Sequence, residues 1–197
     1  MSDNASSCRT PPWFMRPDAR ARRCEPAPAE VRVFHPSLPD CAPTPLTELP
    51  SPADAWGVGR VFVTDESCRP GLPAFKALGV LESLTLGAPV SVTTRETTMA
   101  GLNCGTPSSI AWPYLRGGLD AAVAIADADS ARAAGDLAAL GVSSGPCGAA
   151  SLAGLRAALI GVGAEERRRA WGLGPSSVVV LLSTEGTAAN PHSTTGH

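Results

Sequence analysis

The stretch that most narrows the folds open to this 197-residue chain is "VVVLLSTEG", Val178 to Gly186. An uninterrupted apolar run rich in β-branched residues, ending in serine and glycine, predicts a strand buried on both faces, the condition of a strand inside a parallel sheet. "DAAVAIAD", residues 120–127, reads the same way. Around these runs lie helical patterns of about a dozen residues, "DADSARAAGDLAALG", "AASLAGLRAALIG" and "AEERRRAWG", with "TPSSIAWPYLRGG" as a shorter helix. The alternation predicts an α/β fold, its sheet mostly parallel, with helices on both faces. Ligands in such sheets gather beyond the carboxyl ends of strands, which makes Ser183 a candidate site residue.

The amino-terminal part reads differently. Proline and arginine dominate residues 1–30 with no period of 2 or 3.6, which predicts a disordered arm. "VRVFH" (31–35) alternates and predicts a short edge strand, and "GVGRVFVTDE" (57–66) predicts a stronger one. "GLPAFKALGVLESLTLG" predicts a helix begun by Pro73, and "APVSVTT" (88–94) a strand. The expected organisation is therefore an arm at 1–30, one α/β domain at 31–189 and a disordered tail at 190–197.

Several function classes are excluded by composition. The formal charge of -2 comes from sixteen basic and eighteen acidic residues that are dispersed, so no patch tracks a nucleic-acid backbone. No run of eighteen apolar residues and no apolar segment after the first charges is found, so neither a membrane span nor a secretory signal is expected and the location is cytoplasmic. The six cysteines form no Cys-x-x-Cys pair and the three histidines lie in edge or tail segments, which argues against a metal site. Phosphate-loop, dinucleotide-binding and serine-elbow motifs are missing.

Lys76 is the only lysine beside fifteen arginines. A primary amine can lose its proton and attack a carbonyl, which a guanidinium does not do. A coding bias toward arginine, leaving one exposed lysine, explains the count equally well. "GVSSGPCGAA" (141–150) puts two serines and two glycines, Ser144 and Gly145 among them, before the predicted helix that opens at Ala149, an arrangement that holds anions and also simply caps helices.

Taken in order, "APTPLTELP", "DESCRPGLPAFKALG", "TTMAGLNCGTPSSIAW", "SSGPCGAASLAGL" and "LLSTEG" resemble segments of diaminopropionate ammonia-lyase and its relatives. These are fold-type-II pyridoxal-phosphate enzymes of the tryptophan synthase β-like superfamily. The resemblance implies pyridoxal 5'-phosphate as cofactor, with Lys76 as its covalent anchor and catalytic residue. It implies Ser183 as the hydrogen-bond donor to the pyridine nitrogen, and it leaves Ser144 and Gly145 as further cofactor-binding candidates. The implied activity is α,β-elimination on a small amino acid such as 2,3-diaminopropionate, giving pyruvate and ammonia.

Against that family pattern, "GLPAFKALGV" runs directly into "LESLTLGAPVSV", which matches a region far downstream. The expectation is an internal deletion near residues 80–81, an incomplete small domain, and a remnant of the full fold. A second reading follows: a catalytically inactive remnant, or a non-enzymatic interaction module of the same family. Expected partners are a small amino-acid substrate, no nucleic acid and no membrane, with a homodimer left open.

Overall fold

The computed structural model describes residues 13–23, 26, 29–34, 37, 43–49, 53–66, 83–94 and 96–189. Its strands are β1 (Trp13–Met15), β2 (Leu46–Glu48), β3 (Arg60–Asp65), β4 (Ala121–Val123) and β5 (Val178–Ser183). Its helices are α1 (Ala29–Phe34), α2 (Ala53–Trp56), α3 (Trp112–Gly118), α4 (Asp127–Ala139), α5 (Pro146–Leu159) and α6 (Ala164–Trp171).

The α/β class holds, but the sheet is mixed and split in two. β3 lies between β2 and β5, antiparallel to the first and parallel to the second, while β1 and β4 form a separate antiparallel pair. Only one of three pairings is therefore parallel among the described residues. The β3–β5 ladder runs from Arg60 opposite Val178 to Asp65 opposite Ser183, and the Glu66 amide extends it by donating to the Ser183 carbonyl at 2.9 Å.

Among the described residues, helices cover this sheet on one face, not two. Val61, Val63 and Leu181 point into a core shared with Ala149, Leu152, Ala153 and Leu159 of α5 and Ala133 and Leu137 of α4. On the other face Val178, Val180 and Leu182 are 59%, 53% and 52% exposed. "VVVLLS" thus behaves as a half-buried strand of period 2 whose outward residues happen to be apolar. Part of that outer face is screened by Arg60, which makes two 2.7 Å bonds to the Glu48 carboxylate while its guanidinium lies 4.6 Å from the Phe62 ring centre.

The helices follow from local chemistry. α4 is alanine-rich and begins with Asp127 and Asp129, whose charges suit the positive helix end. The Asp129 carboxylate accepts the Ala126 amide at 3.1 Å, half of a capping box, since alanine has no side-chain acceptor to return the bond. α5 starts with Pro146 at its first position after extended Gly145. At its far end buried Arg167 donates from Nε to the Ala158 carbonyl at 2.6 Å and from Nη2 to those of Ala157 and Val162, both at 3.1 Å.

Three further sequence expectations change, and a fourth falls mostly outside the described residues. Residues 31–34 of "VRVFH" belong to α1, where alternation gave way to a helical turn; His35 lies outside the described residues. "APVSVTT" joins no ladder; the Val92 amide bonds the Gly105 carbonyl at 2.9 Å as part of a loop contact. Of the helix expected after Pro73, only 83–87 is described, and it is helical over 83–86. Within residues 1–30, Trp13–Met15 pairs with β4, and a 3-10 helix spans Pro17–Ala21.

No single helix among the described residues is long and apolar enough to cross a membrane.

Candidate functional site

Two chain segments converge where β5 ends and α5 begins. Ser183 is the last residue of β5 and is fully buried; Ser144, just before α5, is 2% exposed. The Ser183 hydroxyl donates to the Ser144 Oγ at 2.9 Å. Beside them the loop after β5 turns back over the first turn of α5, with the Gly145 amide donating to the Glu185 carbonyl at 2.8 Å.

Glycine permits this approach. A Cβ on Gly148 would stand 2.5 Å from the Glu185 carbonyl oxygen and 2.7 Å from both serine hydroxyls. At Gly145 a Cβ would collide with the Glu185 carboxylate. The site is therefore built from side chains of one segment pressed against bare backbone of the other.

Two further groups belong to the cluster, although sequence reasoning did not single them out. Glu185 is 6% exposed and its Oε1 is buried without a hydrogen-bond partner. Cys147 is 4% exposed, and its thiol is pushed up to about 11, by burial first and then by the hydrogen bond and charge of Glu185; the amides of Gly101 and Leu102 pull the other way. At neutral pH it stays a thiol and is no nucleophile. The signal for both was adjacency: Glu185 follows Ser183 in "STEG", and Cys147 follows Gly145 in "SSGPCG".

The structure brings together three of the four sequence-predicted site residues, Ser183, Ser144 and Gly145. The fourth, Lys76, lies outside the described residues. Among the described residues no group of three or more histidine, cysteine or acidic side chains is arranged to hold a metal ion.

A family model for pyridoxal-phosphate dependent enzymes matches residues 80–185, more than half of the 197. The diaminopropionate ammonia-lyase of Salmonella typhimurium is 48% identical over 50 residues, covering 25% of this chain and 12% of that protein. The diaminopropionate ammonia-lyase of Escherichia coli K12 is 48% identical over 49 residues, with the same coverage of 25% and 12%. The chain thus matches about an eighth of the length of these curated relatives.

One member of the cluster has the donor chemistry that the ring end of this cofactor calls for. Ser183 offers a neutral, buried hydroxyl at a strand's carboxyl end, the donor type that an unprotonated pyridine nitrogen accepts. The start of α5 offers less to a phosphate, because the Gly145 amide is committed to Glu185 and a carboxylate already stands at that helix end. Bound there, the cofactor would supply the electron sink for chemistry at a substrate's α-carbon. By the extent of the family match, the chain belongs to the pyridoxal-phosphate dependent enzyme family.

Proposed function

We propose that the chain is a pyridoxal-phosphate dependent ammonia-lyase acting by α,β-elimination on a small amino acid such as 2,3-diaminopropionate. Loss of the α-proton and of the β-amino group, followed by hydrolysis of the enamine product, converts one substrate and one water into pyruvate and two molecules of ammonia. The observation that carries this reading is the near half identity, over about a quarter of the chain, to diaminopropionate ammonia-lyases. In this reading Ser183 orients the ring by donating to its nitrogen. Ser144 then accepts nothing from Ser183 and can turn its hydroxyl from the Gly145 carbonyl, 3.4 Å away, to the Ser183 oxygen, sharpening it as a donor. Lys76 is the covalent anchor, and Gly145 and Gly148 keep the wall behind the serines thin.

The test is direct. Protein mixed with pyridoxal phosphate is reduced with borohydride and digested, and the labelled peptide is identified. Label on Lys76, its loss in Lys76→Ala, and pyruvate released from 2,3-diaminopropionate support the proposal. Absence of label sinks it.

A second reading is favoured by one specific observation. The outer face of β5 carries Val178, Val180 and Leu182, each more than half exposed, as in a fold that has lost a covering layer. In that reading the chain is an internally deleted, inactive remnant or an interaction module. Label on Lys76 without pyruvate production would select it.

A further inference from the structure

Away from the serine cluster, a cleft of about 500 Å³ opens between the 3-10 helix Pro17–Ala21 and α3. Arg16, Arg22 and Arg116 line it, with Asp18 as the one acidic side chain on its wall. Among the described residues, three guanidinium groups against one carboxylate give the wall a charge of +2. Arg22 and Arg116 reach it from the exposed surface and Arg16 from a half-buried position, a local concentration of positive charge in a chain with no overall basic character.

The arginines are not loosely draped. Arg22 donates from Nη1 to the Pro113 carbonyl at 3.3 Å and sits over the Tyr114 ring, 6.0 Å from its centre. It passes across Gly117 so closely that any Cβ there would overlap its guanidinium. Arg16 is half-buried; its amide donates to the Asp120 carbonyl at 2.7 Å, and its Nε is buried with no hydrogen-bond partner. A buried charged donor left unpaired is costly unless something pairs it.

We propose that this cleft binds the dianionic phosphate group of a small molecule, with the guanidinium groups of Arg16, Arg22 and Arg116 as its donors. The wall's charge of +2 matches a phosphate dianion, and planar guanidinium forks grip phosphate oxygens two at a time. The volume lies within the range of small-ligand sites, larger than inorganic phosphate alone requires. Asp18 is placed to accept a hydroxyl of the organic portion. Among the described residues the cleft shares no wall residue with the Ser183 cluster.

Calorimetric titration of the full chain with inorganic phosphate and with glycerol 3-phosphate, at constant ionic strength, tests this. It is run with and without saturating pyridoxal phosphate. Saturable one-to-one binding is expected, weakened about tenfold or more in Arg16→Gln and Arg116→Gln, and also in Gly117→Ala, which displaces Arg22. Circular dichroism confirms that each variant is folded. Tighter binding of glycerol 3-phosphate identifies an organic phosphate as occupant, and the reverse identifies free phosphate. No saturable binding, variants within twofold of the unsubstituted protein, or displacement by pyridoxal phosphate would overturn the proposal. A chain that fails to bind pyridoxal phosphate would sink the ammonia-lyase reading while leaving the phosphate measurement intact.

Discussion

Gly148 and Gly154 lie in the same helix and face opposite demands. At Gly148 an added methyl meets the Glu185 carbonyl and both serine hydroxyls, whereas at Gly154 it meets nothing within 4 Å. Gly148→Ala is therefore expected to cost about 1–3 kcal/mol, the usual scale of overpacking. Gly154→Ala is expected to stabilise by about 0.5–1 kcal/mol through helix propensity. Urea unfolding of the two variants checks both signs; equal effects would mean that the α5–β5 approach is looser than described. Arg167 poses a different problem. Burial draws its pKa below the ordinary value, with the charge of Glu166 working the other way, yet two carbonyls of the last turn of α5 and that of Val162 in the loop beyond depend on it. Arg167→Met would leave those carbonyls without their donor, and a loss of about 3 kcal/mol in urea-derived stability is expected. A loss below about 1 kcal/mol would show that water replaces the guanidinium there. At this scale the sequence was informative about Ser183, because a hydroxyl directly after an apolar run is conspicuous. Glu185 and Cys147 were hidden, since only the fold shows that "STEG" closes over "SSGPCG".

Element by element, helices were the legible part. α4, α5 and α6 lie close to the helical stretches read from the sequence, although α5 starts at Pro146, three residues before the expected Ala149, because proline suits a helix's first position. Strands were read less well, for a physical reason: a strand's neighbours are not encoded in its own residues. β4 was visible as an apolar run, but its partner β1 sits in a proline- and arginine-rich segment that carries no strand signal of its own. In β5 the unbroken run concealed a period of 2. Leu181→Ala removes a core side chain that is 6% exposed and is expected to cost about 2–5 kcal/mol, whereas Leu182→Thr, at 52% exposed, is expected to stay within about 0.5 kcal/mol. Comparable costs for the two would show that the outer face is covered in solution. The start of α4 carries a pH-dependent clamp. The Thr97 hydroxyl donates to Asp127 at 2.5 Å and the Thr98 amide at 3.1 Å, and the hydroxyl bond chiefly holds the Asp127 carboxyl below its usual value. Its contribution is complete above the ordinary carboxylate value of about 4 and disappears as pH falls through the lower folded value. The melting-temperature difference between the unsubstituted chain and Asp127→Asn is expected to be largest near neutrality and to vanish in strong acid. A difference that does not change with pH would remove the clamp.

For the molecule as a whole, the division of the core predicts a division of stability. The larger cluster joins β3 and β5 to α4 and α5, whereas the smaller has only Leu84 and Trp112 at its centre, with Phe14, Leu115, Leu119 and Ala122 packed around them. Apolar burial sets most of the resistance to local opening, so the β1–β4 pair has little of its own. One tie to the main body is aromatic: Trp13 of β1 meets Trp171 of α6 edge to face, with ring centres 6.2 Å apart. Such a pair is worth about 0.5–1.5 kcal/mol beyond its buried area. Native-state hydrogen exchange is therefore expected to rank the amides of β3, β5 and α5 as most protected, with β1 and β4 opening earlier. In Trp13→Ala the amides of the β1–β4 ladder are expected to exchange up to about tenfold faster, while the main urea midpoint moves little. If instead the whole chain loses protection together, the two clusters are one cooperative unit. The arginine cleft, which shares the 3-10 helix and α3 with the smaller cluster's surroundings, would then be as rigid as the serine site.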